Sequence, residues 1–311
     1  MKKIAFIFPG QGSQSVGMGK DFFENSDIAK EMIEKASQRL GFSFEELLFT
    51  ENENLGKTEF TQPAILLVSS IALAVFKEKC DLQPEFVLGH SLGEFSALVA
   101  SGAIDYLDAI ELVHKRGLFM NEACAGAGAG MMALVGLDDA TVESMTKTQR
   151  EEGKKIWAAN YNLDGQIVVA GIKADLESLV DTYKDAGAKR AIVLDMSVAS
   201  HCELLNSAVE KLNPFLNDFI SSNFTTSVIS NVTAEAYNTK EEAIDLLGKQ
   251  LISPVKYKHS IASKADSVDA FIEFGNGAVL KGLNRKICKA VPTLNVSDMK
   301  SLESTLESLN D

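Results

Sequence analysis

Short apolar runs alternate with longer amphipathic stretches in the first third of the chain. The segments "KIAFIFP" and "PEFVLGHS" are nearly continuous apolar runs of strand length, the pattern of strands covered on both faces. Between them, "QPAILLVSSIALAVFKEKC" has the length and the period of a helix. Strand, helix and strand in this order predict a parallel α/β sheet.

A different pattern follows the glycine- and alanine-rich run "EACAGAGAGMM", which is typical of a hinge or of the start of a new domain. The next residues are interpreted as strand 132–137, helix 139–152, strand 156–161, the turn "NLDG", strand 166–170, helix 174–186 and strand 190–194. This β-α-β-β-α-β order predicts a small ferredoxin-like domain. Farther on, "FTTSVISNVTA" and "VDAFIEFGNG" are predicted to be strands that rejoin the first sheet.

These patterns predict two domains, one inserted into the other. With 311 residues, of which 46% are hydrophobic, the chain can bury the core of a large domain and of a smaller one. Residues 1–125 and 197–311 are predicted to form a discontinuous large α/β domain around the parallel sheet. Residues 126–196 are predicted to form the inserted ferredoxin-like domain.

Composition excludes several classes of function. No apolar stretch approaches the length of a membrane span, and "MKKIAFIFPG" becomes polar too early for a signal peptide, so we expect a cytoplasmic protein with no membrane partner. The net charge of −13 would repel a phosphate backbone, which argues against a nucleic-acid partner. The cysteines lie far apart with no CxxC pair, so we expect neither a metal site nor a disulfide framework: Cys80, Cys124, Cys202 and Cys288.

Basic residues cluster in "KGLNRKICK" in spite of the acidic composition. This segment places Lys281, Arg285, Lys286 and Lys289 close together, and positions 281, 285 and 289 would share one face of a helix. The cluster is either the solvated end of a helix or a docking patch for an acidic partner.

A glycine-rich loop, "FIFPGQGSQSVGMG", follows the first predicted strand. Such a loop before a helix often binds phosphate through backbone N–H groups. The spacing argues against it here, because a dinucleotide fingerprint needs glycine where Ser15 stands and a P-loop needs a lysine before Lys20. The loop is therefore predicted to hold something other than a nucleotide.

The segment "GHSLGE" matches the nucleophile-elbow pattern G-x-S-x-G. It lies between the predicted strand "EFVL" and the predicted helix "EFSALVASGAI", which is the context that this motif requires. Gly89 and Gly93 would let the helix pass close to the strand, and the turn would expose Ser91. We therefore predict a hydrolase-like core with Ser91 as nucleophile, against the alternative of a chance serine in a turn.

A serine nucleophile needs a base, and the chain has four histidines. His90 adjoins Ser91 across a sharp turn and would point away from it. His114 and His259 have charged neighbours and are predicted to lie on the surface. His201, in "SVASHCE", follows the inserted domain and is the best candidate by elimination, although a lone histidine is more often structural.

The group that would orient this histidine is left open by the sequence. Asp195 is near in sequence, and an acid is the usual partner. The alternative is a free backbone carbonyl at the end of the helix in "EEAIDLLGKQLISP", which Pro254 should terminate and in whose last turn Gln250 lies.

Arg116 interrupts an apolar helical stripe that contains Leu112 and Met120. An arginine in such a stripe either extends outward to water or meets an anion, because an unpaired buried charge is costly. If it faces the pocket above Ser91, it offers a two-pronged contact for a carboxylate.

Several of these motifs together resemble one family. "FPGQGSQ", "TQPA", "GHSLGE", Arg116 with Met120, "NYN…GQIVVAG", "SHC", "SNV" and "LISPVKY" are similar, in sequence and in order, to the malonyl-CoA:acyl-carrier-protein transacylases of bacterial fatty-acid synthesis. The resemblance extends from about residue 4 to residue 290.

The resemblance implies a ping-pong acyl transfer. Ser91 would attack the malonyl thioester, carry the malonyl group as an ester and pass it to the phosphopantetheine thiol of acyl carrier protein. His201 would be the general base and acid, held by the backbone carbonyl of Gln250, and Arg116 would bind the malonyl carboxylate. The implied partners are malonyl-CoA, as a substrate, and acyl carrier protein, with no cofactor and a monomeric enzyme.

The resemblance also implies roles for the glycine-rich loop and the pocket. The backbone N–H groups of Gln11 and Leu92 would form the oxyanion hole. The implied pocket residues are Met120, Asn160, Ser200 and Asn231.

Two positions depart from the family pattern. Ala199 stands where a proline commonly precedes "SH", which bears on acyl selectivity. Asn276 in "EFGNG" stands where proline is usual, and we expect it to alter only a turn.

Two rival functions share parts of this pattern. A serine hydrolase such as a thioesterase uses the same elbow and base, and would release acyl groups to water. A non-enzymatic module that binds acyl carrier protein or coenzyme A would keep the fold without forming an adduct on Ser91.

Overall fold

The structure is a computed structural model that describes residues 2–310. Its strands are β1 (Ile4–Phe8), β2 (Phe86–Gly89), β3 (Ala129–Val135), β4 (Ile156–Leu163), β5 (Gln166–Ile172), β6 (Arg190–Val193), β7 (Ser227–Ile229), β8 (Ala236–Tyr237), β9 (Ala270–Phe274) and β10 (Thr293–Val296). Its helices are α1 (Lys20–Asn25), α2 (Asp27–Leu40), α3 (Phe44–Phe49), α4 (Thr58–Lys79), α5 (Gly93–Ala100), α6 (Tyr106–Cys124), α7 (Asp139–Glu151), α8 (Lys173–Ser178), α9 (Val180–Asp185), α10 (Asn206–Phe219), α11 (Lys240–Gln250), α12 (Tyr257–Lys264), α13 (Val279–Ile287) and α14 (Met299–Asn310).

The larger sheet has the strand order β10-β9-β1-β2-β7-β8, with every pair parallel except β7 and β8. Alternate residues of β1 pack on opposite faces: Phe6 joins a core that contains α4, and Ile7 joins a core that contains α12 and α13. Because helices cover both faces, β1 is buried along its whole length. The predicted parallel α/β sheet is confirmed. The short strands β8 and β10 were missing from the sequence prediction, because neither carries a continuous apolar run.

Helix α4 is long and apolar enough to cross a membrane by length and composition, with 22 residues and a mean hydropathy of 1.6 in its most apolar window. The expectation that no apolar stretch approaches this length was therefore too strong. However, 83% of that window is buried inside the protein. The helix is apolar on all sides because it packs against α6, α5 and α2 around the large core.

The smaller sheet has the strand order β4-β5-β3-β6, and all of its pairs are antiparallel. Its elements follow the β-α-β-β-α-β order of the sequence prediction, except that the second helix is divided at Leu179 into α8 and α9. It has a hydrophobic core of its own, which includes Val142, Leu176 and Tyr183. The limits of the inserted domain, residues 126–196, stay a prediction.

Two helix ends differ from the sequence prediction. Helix α11 ends at Gln250, four residues before Pro254, which has no N–H to donate to the carbonyl of Gln250. Helix α13 ends at Ile287, so that Lys289 lies outside the helix. Consequently, positions 281, 285 and 289 do not share one helical face.

The loops that follow β1, β2 and β7 leave the same edge of the larger sheet, because these strands are parallel neighbours. In open α/β sheets, ligands bind outside the carboxyl ends of the strands. The glycine-rich loop, the "GHSLGE" turn and the "SNV" segment therefore meet at one place.

Candidate active site

Ser91 lies in the tight turn between β2 and α5 with φ 52°, in the left-handed region that few residues other than glycine adopt. The turn requires glycine on both sides of it. A Cβ on Gly89 would lie 1.9 Å from the carbonyl carbon of Gly93, and a Cβ on Gly93 would lie 2.1 Å from the carbonyl oxygen of Phe8. The backbone N–H of Ser91 donates to Asn231 Oδ1 at 2.6 Å, and this hydrogen bond stabilises the strained turn.

The structure brings Ser91 and His201 together, with 2.8 Å between Ser91 Oγ and His201 Nε2. His201 Nδ1 lies 2.7 Å from the backbone carbonyl oxygen of Gln250. Because a carbonyl can only accept, Nδ1 carries the proton, and Nε2 is left free to accept the hydroxyl proton of Ser91. Of the two orienting groups that the sequence left open, the carbonyl makes this contact, and Asp195 lies exposed at the edge of the cleft.

The other histidines point elsewhere. His90 Nε2 donates to Asn162 Oδ1 at 2.7 Å, as expected of a side chain directed away from Ser91. His259 is exposed, as expected. The expectation for His114 was wrong: it is half-buried, and its Nδ1 donates to the backbone carbonyl of Glu59 at 2.7 Å.

His201 is held in its neutral form. It is 2% exposed, and burial, followed by the positive charge of Arg116, lowers the pKa of His201 to about 3. At neutral pH the imidazole is therefore uncharged and able to accept a proton.

Arg116 does not reach water. It is 1% exposed, and its Nη1 donates to Gln62 Oε1 at 2.8 Å. Its Nη2 donates to Gln250 Oε1 at 3.1 Å and lies 3.4 Å from Ser91 Oγ. All of these partners are neutral, and Nε has no hydrogen-bond partner among the described residues 2–310. Burial lowers the pKa of Arg116 to about 10, so the side chain is a buried cation with room for an anion beside Ser91.

Two backbone N–H groups border the same space. Among residues 2–310, neither the amide of Gln11 nor that of Leu92 donates a hydrogen bond to another residue. Leu92 directly precedes α5, and Gln11 belongs to the loop after β1. Free amides at a helix N-terminus favour negative charge.

A cavity of about 340 Å³ lies above Ser91. Its walls include the predicted pocket residues Met120, Asn160 and Ser200. A larger cleft of about 720 Å³ shares residues Gln11 and Asp195 with it, so the two spaces adjoin. The size of the cleft suits an extended substrate whose reactive end reaches Ser91.

Comparison of the chain with known proteins shows the family to which it belongs. The acyl transferase domain family matches residues 5–304. The chain is 41% identical to the malonyl CoA-acyl carrier protein transacylase of Bacillus subtilis (strain 168) over 313 residues, which cover 100% of this chain and 98% of that one. The chain belongs to the malonyl CoA-acyl carrier protein transacylase family.

Solved structures of this transacylase family share the fold over the whole chain. The malonyl-CoA:acyl carrier protein transacylase of Helicobacter pylori is similar with a TM-score of 0.96 and 43% identity, covering 100% of this chain and 99% of that one. A malonyl-transacylase in complex with its type II PKS acyl-carrier protein is similar with a TM-score of 0.94 and 36% identity, covering 98% and 99%.

Asn231 has a different place from the one implied by the transacylase resemblance. It does not line the cavity, because it is 1% exposed and lies beneath the elbow. Its Oδ1 accepts from the backbone N–H of Ser91, and its Nδ2 donates to the carbonyl of Gly89 at 2.7 Å. Asn231 therefore braces the turn rather than forming a wall of the pocket.

The two departures from the transacylase pattern also have clear places. Ala199 is fully buried in the large core and does not line the cavity. Asn276 does more than alter a turn: its Nδ2 donates to the carbonyl of Ser13 at 2.6 Å and to Ser15 Oγ at 2.9 Å. It therefore ties the glycine-rich loop to the end of β9.

The side chains of the basic cluster contact two different parts of the protein. Lys281 Nζ donates to Asn295 Oδ1 at 2.9 Å, whereas Lys286 and Lys289 line a cavity of about 510 Å³ with Lys258. Arg285 is exposed on α13. The cluster thus offers exposed positive charge but not the single helical face that the spacing predicted.

Two polar residues around the site were not found from the sequence. Gln62 is fully buried in α4 and holds Arg116 Nη1. Glu94 is fully buried in α5, and its carboxylate accepts hydrogen bonds from Gln250 and Asn231. The available signal for both was a polar side chain inside an apolar helix.

Proposed function

We propose that this chain transfers a malonyl group from malonyl-CoA to the phosphopantetheine thiol of acyl carrier protein through a malonyl ester on Ser91, for fatty-acid biosynthesis. One observation carries the proposal: the hydroxyl of Ser91 contacts both a neutral imidazole and a buried guanidinium whose hydrogen-bond partners within residues 2–310 are all neutral. The first contact supports nucleophilic attack, and the second supports an acyl group that ends in a carboxylate.

The first half-reaction forms the ester. His201 Nε2 takes the proton of Ser91 as Oγ attacks the thioester carbonyl, and the oxyanion is stabilised by the amides of Gln11 and Leu92. The carbon–sulfur bond then breaks, and coenzyme A leaves as the thiol with the proton from His201. Mass and charge balance, because the serine proton ends on the coenzyme A sulfur.

The second half-reaction reverses the roles. The carrier thiol gives its proton to His201 as its sulfur attacks the ester carbonyl, and the same amides stabilise the oxyanion. When the carbon–oxygen bond breaks, His201 returns the proton to Ser91. The products are malonyl carrier protein and the free enzyme.

Arg116 gives the site a preference for malonyl beyond simple attraction. The pKa of His201 is lowered first by burial and second by Arg116. A substrate carboxylate on Arg116 offsets that positive charge, so malonyl binding raises the pKa of His201 and makes it a stronger base. An acetyl group cannot do this.

The first experiment is intact-mass analysis after brief mixing with malonyl-CoA. We expect an adduct of one malonyl group that is absent in Ser91→Ala, with acetyl-CoA giving much less adduct. Absence of an adduct with steady release of coenzyme A would support a hydrolase. Absence of both would support a binding module.

Docking of the acidic carrier protein is proposed at the basic cluster, with Lys281, Arg285, Lys286 and Lys289 as its residues. Support comes from their exposure on an otherwise acidic protein, and a related malonyl-transacylase has been solved in complex with its acyl-carrier protein. The proposed location is the cytoplasm, which fits four free cysteines. We further propose that the enzyme acts as a monomer.

A further inference from the structure

A carboxylate that the proposed reaction does not use lies in the core behind the active site. Glu94 is in the first turn of α5, and it is 0% exposed. Its Oε2 accepts hydrogen bonds from Gln250 Nε2 at 2.7 Å and from the backbone N–H of Asn231 at 3.1 Å. Its Oε1 accepts one from the hydroxyl of Tyr237 at 3.1 Å. Burial of a carboxylate is costly, so a site that keeps one invites an explanation by function.

The side chain of Gln250 connects this carboxylate to the reacting groups. Its Nε2 donates both to Glu94 and to the backbone carbonyl of Ser91, the latter at 3.1 Å. Its Oε1 accepts from Arg116 Nη2, and its backbone carbonyl contacts His201 Nδ1. Because Nε2 faces two acceptors and Oε1 faces a cation, only one orientation of the amide satisfies all of its contacts. Glu94 selects that orientation.

The same contacts place the negative charge of Glu94 near the positive charge of Arg116. Arg116 has hydrogen bonds only to neutral groups among the described residues, and the amide of Gln250 lies between its guanidinium and the carboxylate of Glu94. The negative charge of Glu94 opposes the loss of the Arg116 proton that burial favours. Arg116 and Glu94 thus carry opposite charges that do not contact each other directly and are connected through the amide of Gln250.

We propose that Glu94 is a positioning residue for acyl transfer. Its ionised carboxylate fixes the amide of Gln250 and balances the charge of Arg116, and so keeps Arg116 and His201 in place around Ser91. It touches neither substrate nor reacting atoms. The inference rests on the acyl transfer proposed above.

This role has a distinct pH signature. Burial raises the pKa of Glu94 to about 7, against the hydrogen bonds from its neighbours, whereas the pKa of His201 is about 3. The other charged and titratable groups around Glu94 keep their protonation states near neutral pH. Arg116 stays protonated because its pKa is about 10, and Tyr237 stays protonated because its pKa is raised well above its usual value. Burial also lowers the pKa of His90. Glu94 is therefore protonated below about pH 7 and ionised above it, and acylation should become faster as the pH rises through that value.

The test is single-turnover acylation by malonyl-CoA, followed by intact mass between pH 5.5 and 8.5. Glu94→Gln keeps the shape of the side chain and removes its charge. At pH 8 we expect the variant to be acylated about ten- to a hundredfold more slowly than the natural enzyme. The reason is the loss of a charge that is two hydrogen bonds away from Arg116. We also expect the rise near pH 7 to disappear.

A second variant keeps the carboxylate of Glu94 and raises its pKa. Tyr237→Phe removes a hydrogen bond that favours the ionised form, so the midpoint of the rise should move up by about half to one pH unit. The matched control is Tyr161→Phe, which removes a hydroxyl bonded to Glu143 at 2.7 Å in the small sheet and should leave the midpoint unchanged.

Three outcomes decide between the proposals. A Glu94→Gln variant with the natural rate and pH profile would overturn the positioning role. If that variant does not fold, an unchanged midpoint in Tyr237→Phe would overturn it instead. Failure of the natural enzyme to form any adduct would contradict the acyl transfer itself, which separates the two claims.

Discussion

Three side chains define the chemistry at the scale of single residues: Ser91, His201 and Arg116. The motif "GHSLGE" was enough to name the serine, whereas His201 was reached by elimination among four histidines and Arg116 was left open between water and an anion until the family resemblance gave both a role. Glu94 could not be given a role in the same way, because its partners Asn231 and Gln250 are 137 and 156 positions away in the sequence. Residue type is local information, whereas a hydrogen-bond network depends on the finished fold.

Arg116→Ala should change which acyl group is preferred rather than abolish transfer. A charge-assisted contact contributes about 1.5–3 kcal/mol, so malonyl transfer should fall by about ten- to a hundredfold. Acetyl transfer should be unchanged or faster, because removing the cation also raises the pKa of His201. The measurement is kcat/KM for both coenzyme A esters.

Lys115→Ala, next to it on α6, is the matched control, because Lys115 pairs with Glu111 away from the site. It should leave both values as they are. Equal loss of malonyl and acetyl transfer in Arg116→Ala would mean that the arginine supports the fold and not the carboxylate.

At the scale of elements, the site depends on how closely α5 approaches β1 and β2. The sequence predicted these three elements from their apolar pattern and glycines, and their places are confirmed. Helix ends were predicted less well: α11 was expected to end near Pro254 with Gln250 in its last turn, and it ends at Gln250 itself, whereas α13 stops before Lys289. Ends are set by contacts with neighbouring segments, which periodicity does not contain.

Gly93→Ala should disrupt this close approach. The added Cβ would lie 2.1 Å from the carbonyl oxygen of Phe8, so β1 and α5 must separate. Overpacking of this kind costs about 1–3 kcal/mol, and the shift would also displace the amide of Leu92. The free energy of unfolding measured in denaturant and the rate of acylation should both be lower than in the natural enzyme.

Gly282→Ala in α13 provides the control, because nothing lies within 4 Å of its added Cβ. Helix propensity predicts a gain of up to about 1 kcal/mol there. If Gly93→Ala behaved like Gly282→Ala, the tight packing of the elbow would be refuted.

At the scale of the whole molecule, an acidic protein is proposed to recruit an acidic partner. The net charge of −13 opposes that encounter, so the exposed basic residues of α13 and its end become important. The sequence located the cluster but not its division, because the direction of each side chain depends on where α13 ends.

Charge reversal at Arg285 and Lys286 should therefore raise the KM for carrier protein, mainly through slower association, and the effect should weaken at high salt. The KM for malonyl-CoA serves as the internal control and should change little. An unaltered KM for carrier protein would remove α13 as the docking site.

A transferase of this kind holds the malonyl group on Ser91 and passes it to a thiol rather than to water. The most direct measurement is the fate of the isolated malonyl adduct, followed by intact mass with and without holo carrier protein. We predict an adduct that persists in buffer and disappears on addition of the carrier, with the malonyl mass appearing on the carrier. Loss of the adduct at the same rate in buffer alone, with free malonate as the product, would contradict the transferase and identify a hydrolase.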